Sequence, residues 1–344
     1  MRKRKNLASV LTAAMLTVIL SACGGGASTS TTSGSGGDAP KVRVLKFTDQ
    51  NTASSPAGIW EQKFADKVKE YTNGEIEVQC YFDNTLCGYD IQPLQAGVAD
   101  FLQYVPSSAG DLDSRLGAFD APYIYRDNVH QEAVFNPFTS EPLKVINEAL
   151  KDDGVMLLTA FNCGNRQLTC NFPIYNLDDM KGAKIRVVSS DLYQQLFTAF
   201  GAAATPMAFT EVATALITNV IDGQENPYSA IDSAALYEIQ KYCMETGHLP
   251  TNLGLWVNRN TSDSLTEEQQ TAVMQAAVDA SHEMNLETAE KEQEYKQHCT
   301  DHGMTIITEA DGLDLPAFKN AAMSVYDHFS DAWGEMPDLI RNVQ

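Results

Sequence analysis

An α/β fold in two domains is what this chain predicts, from three observations. Short apolar segments with a period of two alternate with longer segments of helical period. The pattern comes in two successive runs, the second opening near Val155. About 300 residues remain once a Gly/Ser/Thr-rich N-terminal stretch is set aside, and that length favours two domains over one.

Each element has its own signal. Val42, Val44 and Leu45–Phe47 form a short strand, and Pro56–Tyr71 reads as a helix with Ile59, Phe64 and Val68 on one face. Gly74 stops it, and Ile76–Phe82 is a second strand. A helix near Asp90–Gly97 and a strand at Asp100–Val105 repeat the theme. Strands alternating with helices imply parallel strands joined by crossovers. The second run holds a strand at Val155–Phe161, a strand at Ile185–Val188 and a helix at Asp191–Phe200. A helix at Thr210–Asn219, with Thr210 as its N-cap, precedes a strand running into a loop at Val220–Pro227. The segment Thr266 to His302 reads as one long helix in the C-terminal half. Thr266 and Gln269 form its capping box, and Met274, Ala277, Val278, Met284 and Leu286 form its apolar stripe. Its charges at Glu287–Glu294 read as a solvated face. A last helix covers Leu315 to Trp333.

The N-terminus speaks to location. Arg2-Lys3-Arg4-Lys5 precedes an apolar run from Leu7 to Leu20, too short for the ~20 residues that a ~30 Å bilayer core demands, so it reads as a secretory signal. The signal ends Leu20-Ser21-Ala22-Cys23, which resembles the lipobox of bacterial lipoproteins and implies cleavage of residues 1–22 and acylation (palmitate) of Cys23. Residues 24–37 are almost wholly Gly, Ser, Thr and Ala, a tether with a reach of roughly 20 Å. The folded part is expected from about Lys41. The net charge is −21, and loss of the four N-terminal cations takes the processed chain to about −25. Such a chain repels nucleic acid and does not adhere to anionic lipid through its surface. Six cysteines follow Cys23: Cys80, Cys87, Cys163, Cys170, Cys243 and Cys299. An exported chain permits up to three disulfides among them, and free thiols serve a core of this size equally well.

Chemistry concentrates between Gly164 and Pro227. In Lys184-Ile185-Arg186-Val187-Val188, alternation sets Ile185 and Val187 on one face and Arg186 on the other. A mid-strand arginine is unfavourable unless paired or lining a cleft, and its planar fork suits a carboxylate. Either an internal salt bridge or a bound acid answers that need. Phe209 stands where a loop meets a helix start, and Asn226 stands at a strand end before Pro227, the location at which α/β sheets bind ligands.

These segments together resemble the solute-binding subunits of TRAP (tripartite ATP-independent periplasmic) transporters of the dicarboxylate-binding type. The resemblance rests on Gly164-x-Arg166, Asp178–Val187, Pro206-Met207-x-Phe209-x-Glu211-Val212 and Asp222-Gly223-Gln224-Glu225-Asn226-Pro227. Ala121-Pro122-Tyr123, Gln240-Lys241-Tyr242, Thr246-Gly247-His248 and Leu265–Gln269 agree, so it spans about residues 42–335. It implies a two-lobed periplasmic-binding-protein fold of type II-like form, with a cleft between the lobes. Residues 41–163 plus about 252–291 would form one lobe, and 164–251 plus about 292–344 the other. Arg186 would grip a ligand carboxylate with Arg166 as a second cleft arginine, while Asn226 hydrogen-bonds the acid and Phe209 packs on it. Tyr104 and Trp256 are further aromatic candidates, Trp256 equally suited to the core. Leu102–Pro106 and Thr48-Asp49-Gln50 depart from sialic-acid binders. Asn219 replaces a usual glycine, a position where Asn tolerates the left-handed cap.

The implied function is receipt of a small organic acid, a sugar acid or C4-dicarboxylate, and its delivery to TRAP permease subunits by a lipid-anchored monomer without cofactor. A sensor feeding a signalling receptor shares every one of these features. A secreted hydrolase does not: the folded part holds no Gly-x-Ser-x-Gly, Gly-x-Gly-x-x-Gly or His-Glu-x-x-His. His298 and His302, four apart, lack an evident third metal ligand.

Overall fold

A computed structural model describes residues 42–344. The signal sequence, Cys23 and the tether lie outside the described residues. Eleven strands fall into two sheets. The first contains β1 (Arg43–Thr48), β2 (Ile76–Tyr81), β3 (Phe101–Tyr104), β4 (Val155–Asn162) and β10 (Asn252–Asn258), in the order β2-β1-β3-β10-β4. The second contains β5 (Gln167–Cys170), β6 (Lys184–Val187), β7 (Ala203–Pro206), β8 (Gly223–Asn226), β9 (Tyr242–Met244) and β11 (Thr305–Ile307), in the order β11-β9-β5-β8-β6-β7.

The first helix, Pro56–Tyr71, shows why the local reading works. The Ser55 hydroxyl accepts from Gly58 N at 3.1 Å, Pro56 fits the first turn, and Gly74 at φ +80° closes the far end. Its buried face, with Trp60, Phe64 and Val68, packs on Leu45 and Phe47 of β1 and Phe101 of β3. Each such side chain taken from water contributes about 1.5–3 kcal/mol. Trp60 Nε1 donates to Ser281 Oγ at 3.1 Å, which ties this layer to the long helix Glu267–Asp301.

That long helix begins as its sequence predicts. Thr266 Oγ1 accepts from Gln269 N at 3.2 Å, and Gln269 Oε1 accepts from Thr266 N at 3.2 Å. Its buried stripe differs from the expected one. Val273, Ala276, Ala277, Ala280, Ser281 and Met284 face inward, whereas Leu286 is exposed. Small residues at three- and four-residue spacing let this helix approach its neighbours closely, and large apolar side chains alone do not mark that face.

Three expectations change. Strand direction is mixed: β1, β2 and β3 run parallel, as do β6, β7 and β8, but β10 is antiparallel to β3 and β4, and β5 to β8 and β9. The physical reason is the route of the chain. β5 and β10 each arrive from the other sheet and enter from the opposite end. Thr210 is not an N-cap; a 3₁₀ turn at Phe209–Glu211 precedes the helix Val212–Ile217, and the Glu211 side chain instead accepts from Ala208 N at 3.2 Å. The last helix also breaks in two, at Leu315–His328 and Ser330–Trp333. Asn219 does take the left-handed conformation, at φ 57°.

Two of the three crossings between the sheets run side by side; the third is the long helix Glu267–Asp301, which leads from β10 to β11. Cys163 N donates to Thr251 O at 2.9 Å and Arg166 N to Leu249 O at 2.9 Å. Asn162 Oδ1 accepts from Gly164 N at 3.1 Å and from Thr251 N at 3.3 Å, so one side chain joins both segments. All six cysteines of the described residues are free thiols. His298 Nδ1 meets Asp232 Oδ1 at 2.5 Å, and no three His, Cys, Asp or Glu side chains gather as metal ligands among the described residues.

Candidate functional site

The register of the second sheet brings three distant segments to one edge. β6 and β8 run parallel with Arg186 opposite Gln224, and β8 pairs antiparallel with β5, Asn226 opposite Gln167. The carboxyl ends of β6 and β8 therefore share an edge with the start of β5, where Arg166 lies. Gly223 makes this pairing possible: a Cβ there would sit 2.3 Å from Thr169 O.

Arg166 is buried and fully engaged. Its Nη2 donates to Glu225 Oε1 at 3.0 Å, Glu225 O at 2.9 Å and Asn226 Oδ1 at 2.9 Å, while Nε pairs with Glu225 Oε2. Its guanidinium lies 5.3 Å from the Tyr193 ring centroid. Burial opposes the charge on Glu225, but Arg166 and His248 outweigh it and hold the carboxyl below its ordinary range. Burial likewise opposes the arginine's charge, and Glu225 more than restores it. His248, fully enclosed, is pushed down by desolvation. Its Nε2 faces Glu225 Oε2 at 3.4 Å, and its Nδ1 lies 2.8 Å from Thr246 Oγ1.

Arg186 has a different environment. It is 3 % exposed, and no carboxylate of the described residues lies within ion-pair distance. Nε and Nη2 both donate to Met207 O, at 3.0 and 2.8 Å. The Phe209 ring centroid lies 5.9 Å from the guanidinium carbon, and Phe209 itself is 42 % exposed. Burial lowers the pKa of Arg186 and nearby Arg166 adds to that, against the opposing field of Glu225. A buried guanidinium without a counter-ion is unfavourable, and an incoming carboxylate removes the deficit.

Of the six candidate side chains, Arg166, Arg186, Asn226 and Phe209 come together on the second sheet. Asn226 bridges Arg166 to Gln224, whose Oε1 accepts from Asn226 Nδ2 at 2.5 Å. Tyr104 and Trp256 belong to the first sheet. Trp256 is wholly buried and donates Nε1 to Tyr104 O at 2.8 Å; Tyr104 is partly exposed, its ring 4.7 Å from that of Tyr89. Reasoning from residues alone missed Glu225, His248 and Tyr193. Glu225 carried a signal, being an acid at a strand end with no Lys or Arg nearer in sequence than Lys241; His248 and Tyr193 carried none, since only the fold places them beside Arg166.

The solute-binding protein of Chromohalobacter salexigens is 31% identical over 85% of this chain and 86% of its own length. The C4-dicarboxylate-binding periplasmic protein of Rhodobacter capsulatus is 28% identical over 85% of this chain and 87% of its own. A crystal structure of a TRAP periplasmic solute-binding protein from C. salexigens with bound D-glucuronate superposes with a TM-score of 0.77 at 29% identity, covering 87% of this chain and 100% of that one. A family profile matches residues 47–332. This chain belongs to the bacterial extracellular solute-binding proteins, family 7.

Proposed function

We propose that this protein is the extracytoplasmic receptor of a TRAP-type uptake system and that Arg186 clamps the carboxylate of a small organic acid. The observation that carries the proposal is the buried Arg186 guanidinium with only a backbone carbonyl for a partner, beside a half-open aromatic wall. Arg166 acts one step back. Its ion pair with Glu225 fixes Asn226, which orients the acid. Membrane attachment through acylated Cys23 and a monomeric state belong to the same proposal, as do the lobe limits, 41–163 with about 252–291 against 164–251 with about 292–344. The ligand binds between the lobes, and closure hands a sequestered acid to the permease.

Relatives named for C4-dicarboxylate binding and for bound glucuronate support an acid as ligand. A thermal-shift screen over uronates, aldonates, C4-dicarboxylates and keto acids tests the class. A ligand present at about 100 times its Kd stabilises by about 2.7 kcal/mol. A carboxylate in the panel is expected to raise the melting temperature; a panel in which none does so contradicts the proposal.

A further inference from the structure

A cavity of about 260 Å³ lies apart from the arginine edge of the second sheet. It is bounded by β4, β10, the short helix Arg259–Asp263 and the start of the long helix, and no residue of the second sheet lines it. Its lining is mostly apolar, with Met156 and Leu158 from β4, Val257 from β10, and Val273 and Met274 from the long helix. Arg259, Asp263 and Gln270 are its charged and amide groups. An apolar enclosure with a few placed polar groups is the ordinary composition of a small-molecule site.

Arg259 and Asp263 open and close one short helix, so their four-residue spacing puts them on one face of it. They do not pair. Among the described residues the arginines in ion pairs are Arg115, Arg166 and Arg341. Arg259 is held elsewhere: its Nη2 donates to Asn147 O at 2.7 Å and its backbone N to Gly154 O at 2.9 Å. Its Nε is enclosed and donates to nothing. A buried donor in that state is unfavourable, and an added acceptor removes the deficit. Asp263 is exposed. Gln270 Nε2 donates to Ser262 O at 2.9 Å and to Leu265 O at 3.3 Å, which leaves the amide oxygen as an acceptor. One cavity thus presents an unpaired cation, an unpaired anion and a neutral acceptor beside an apolar lining.

We propose that this cavity is a second small-molecule site, separate from the Arg186 clamp, and that it takes the zwitterion of an apolar α-amino acid. Arg259 receives the carboxylate, whose oxygen satisfies the enclosed Nε. Asp263 and the Gln270 amide oxygen receive the ammonium group, and the Met156, Leu158, Val273 and Met274 side chains enclose the apolar tail. Hydrogen bonds with a charge on both partners are the strong ones, so the two ends fix the ligand's orientation. A simple fatty carboxylate satisfies Arg259 but meets Asp263 as a like charge. A simple amine meets Arg259 in the same way, and that repulsion selects the zwitterion over either.

Isothermal titration with L-leucine tests the site, on wild-type protein and on Arg186→Ala, which removes the clamp in the cleft. Three analogues each delete one feature: 4-methylpentanoate lacks the ammonium, 3-methylbutylamine the carboxylate and glycine the apolar tail. Leucine is expected to bind one site per chain with equal affinity in the two proteins, and each analogue at least about tenfold more weakly. Asp263→Asn, a change at an exposed position, is expected to weaken leucine at least about tenfold while leaving 4-methylpentanoate as it was or tighter. Arg259→Gln is expected to weaken leucine to a similar degree. No saturable leucine binding overturns the proposal, and so does leucine binding that disappears in Arg186→Ala, since that places the amino acid in the cleft. A 4-methylpentanoate that binds as tightly as leucine, or a folded Asp263→Asn protein with unchanged leucine affinity, overturns it as well. None of these outcomes bears on the carboxylate clamp, which is read from acids and Arg186 alone.

Discussion

Arg166 and Arg186 are the same residue type, both buried in one sheet, and their partners give them opposite tasks. Removing the acid from Arg166 leaves a buried charge without its mate, a change that costs about 3–5 kcal/mol. Glu225→Gln is therefore expected to lower stability by that order in urea unfolding, whereas Arg186→Ala, which removes a charge that had no mate, is expected to leave stability near wild type. The pH dependence has the same origin. Glu225 is held below its ordinary value of 4.5, so its contribution is present above that value and is lost as pH falls through the lower folded value. His248, held below 6.5, acts in the same direction, since the unfolded chain takes up its proton first. Unfolding free energies measured from pH 7 down to pH 4 are expected to fall, less steeply in a His248→Gln protein; an equal slope in both contradicts the assignment. Arg186 was legible in the sequence because an arginine breaks an apolar alternation. Its lack of a counter-ion was not, because an absent partner is a property of three dimensions.

At the scale of elements, legibility followed the strength of local punctuation. The Pro56–Tyr71 helix and the long helix were bounded correctly because Ser55-Pro56, Gly74 and the Thr266–Gln269 box act within one turn. The general expectation of parallel strands fails at β5 and β10, because hydrophobic period reports the kind of element and not the route by which the chain reaches its sheet. The Phe209 turn was misassigned because the capping group came from Glu211, on the far side of the expected cap. Two substitutions test these accounts. Thr266→Ala is expected to cost about 1 kcal/mol of stability, readable as a lower denaturant midpoint at constant m-value. Gly223→Ala forces a Cβ against Thr169 O and separates β8 from β5. It is expected to destabilise by roughly 1–3 kcal/mol and to weaken acid binding as well, since that pairing seats Arg166 beside Asn226.

For the whole molecule, composition and architecture divide the work. A net charge of −21 keeps the exterior hostile to anions, so an anionic ligand is held only where the fold concentrates cations, at one edge of one sheet. Two of the three connections between the sheets run side by side, with Asn162 binding both, and the proposed closure would turn about that joint. Sequence resemblance delivered this architecture through the order and spacing of many weak motifs; composition alone offered two domains and no cleft. The thiols provide a check at this scale. Denatured, unreduced protein purified from membranes is expected to titrate six thiols, one for each free cysteine from Cys80 to Cys299, with Cys23 blocked by acylation. Four or fewer indicate disulfides, and seven contradict the lipid anchor.

The central claim is that Arg186 holds the ligand's carboxylate. Isothermal titration of wild-type and Arg186→Ala protein with D-glucuronate, or with whichever acid most raises the melting temperature, tests it most directly. Loss of a charged partner in a desolvated site costs about 2–5 kcal/mol, so binding to the alanine variant is expected to weaken by roughly 30-fold or more at unchanged melting temperature of the free protein. Equal affinity in the two proteins would contradict the account.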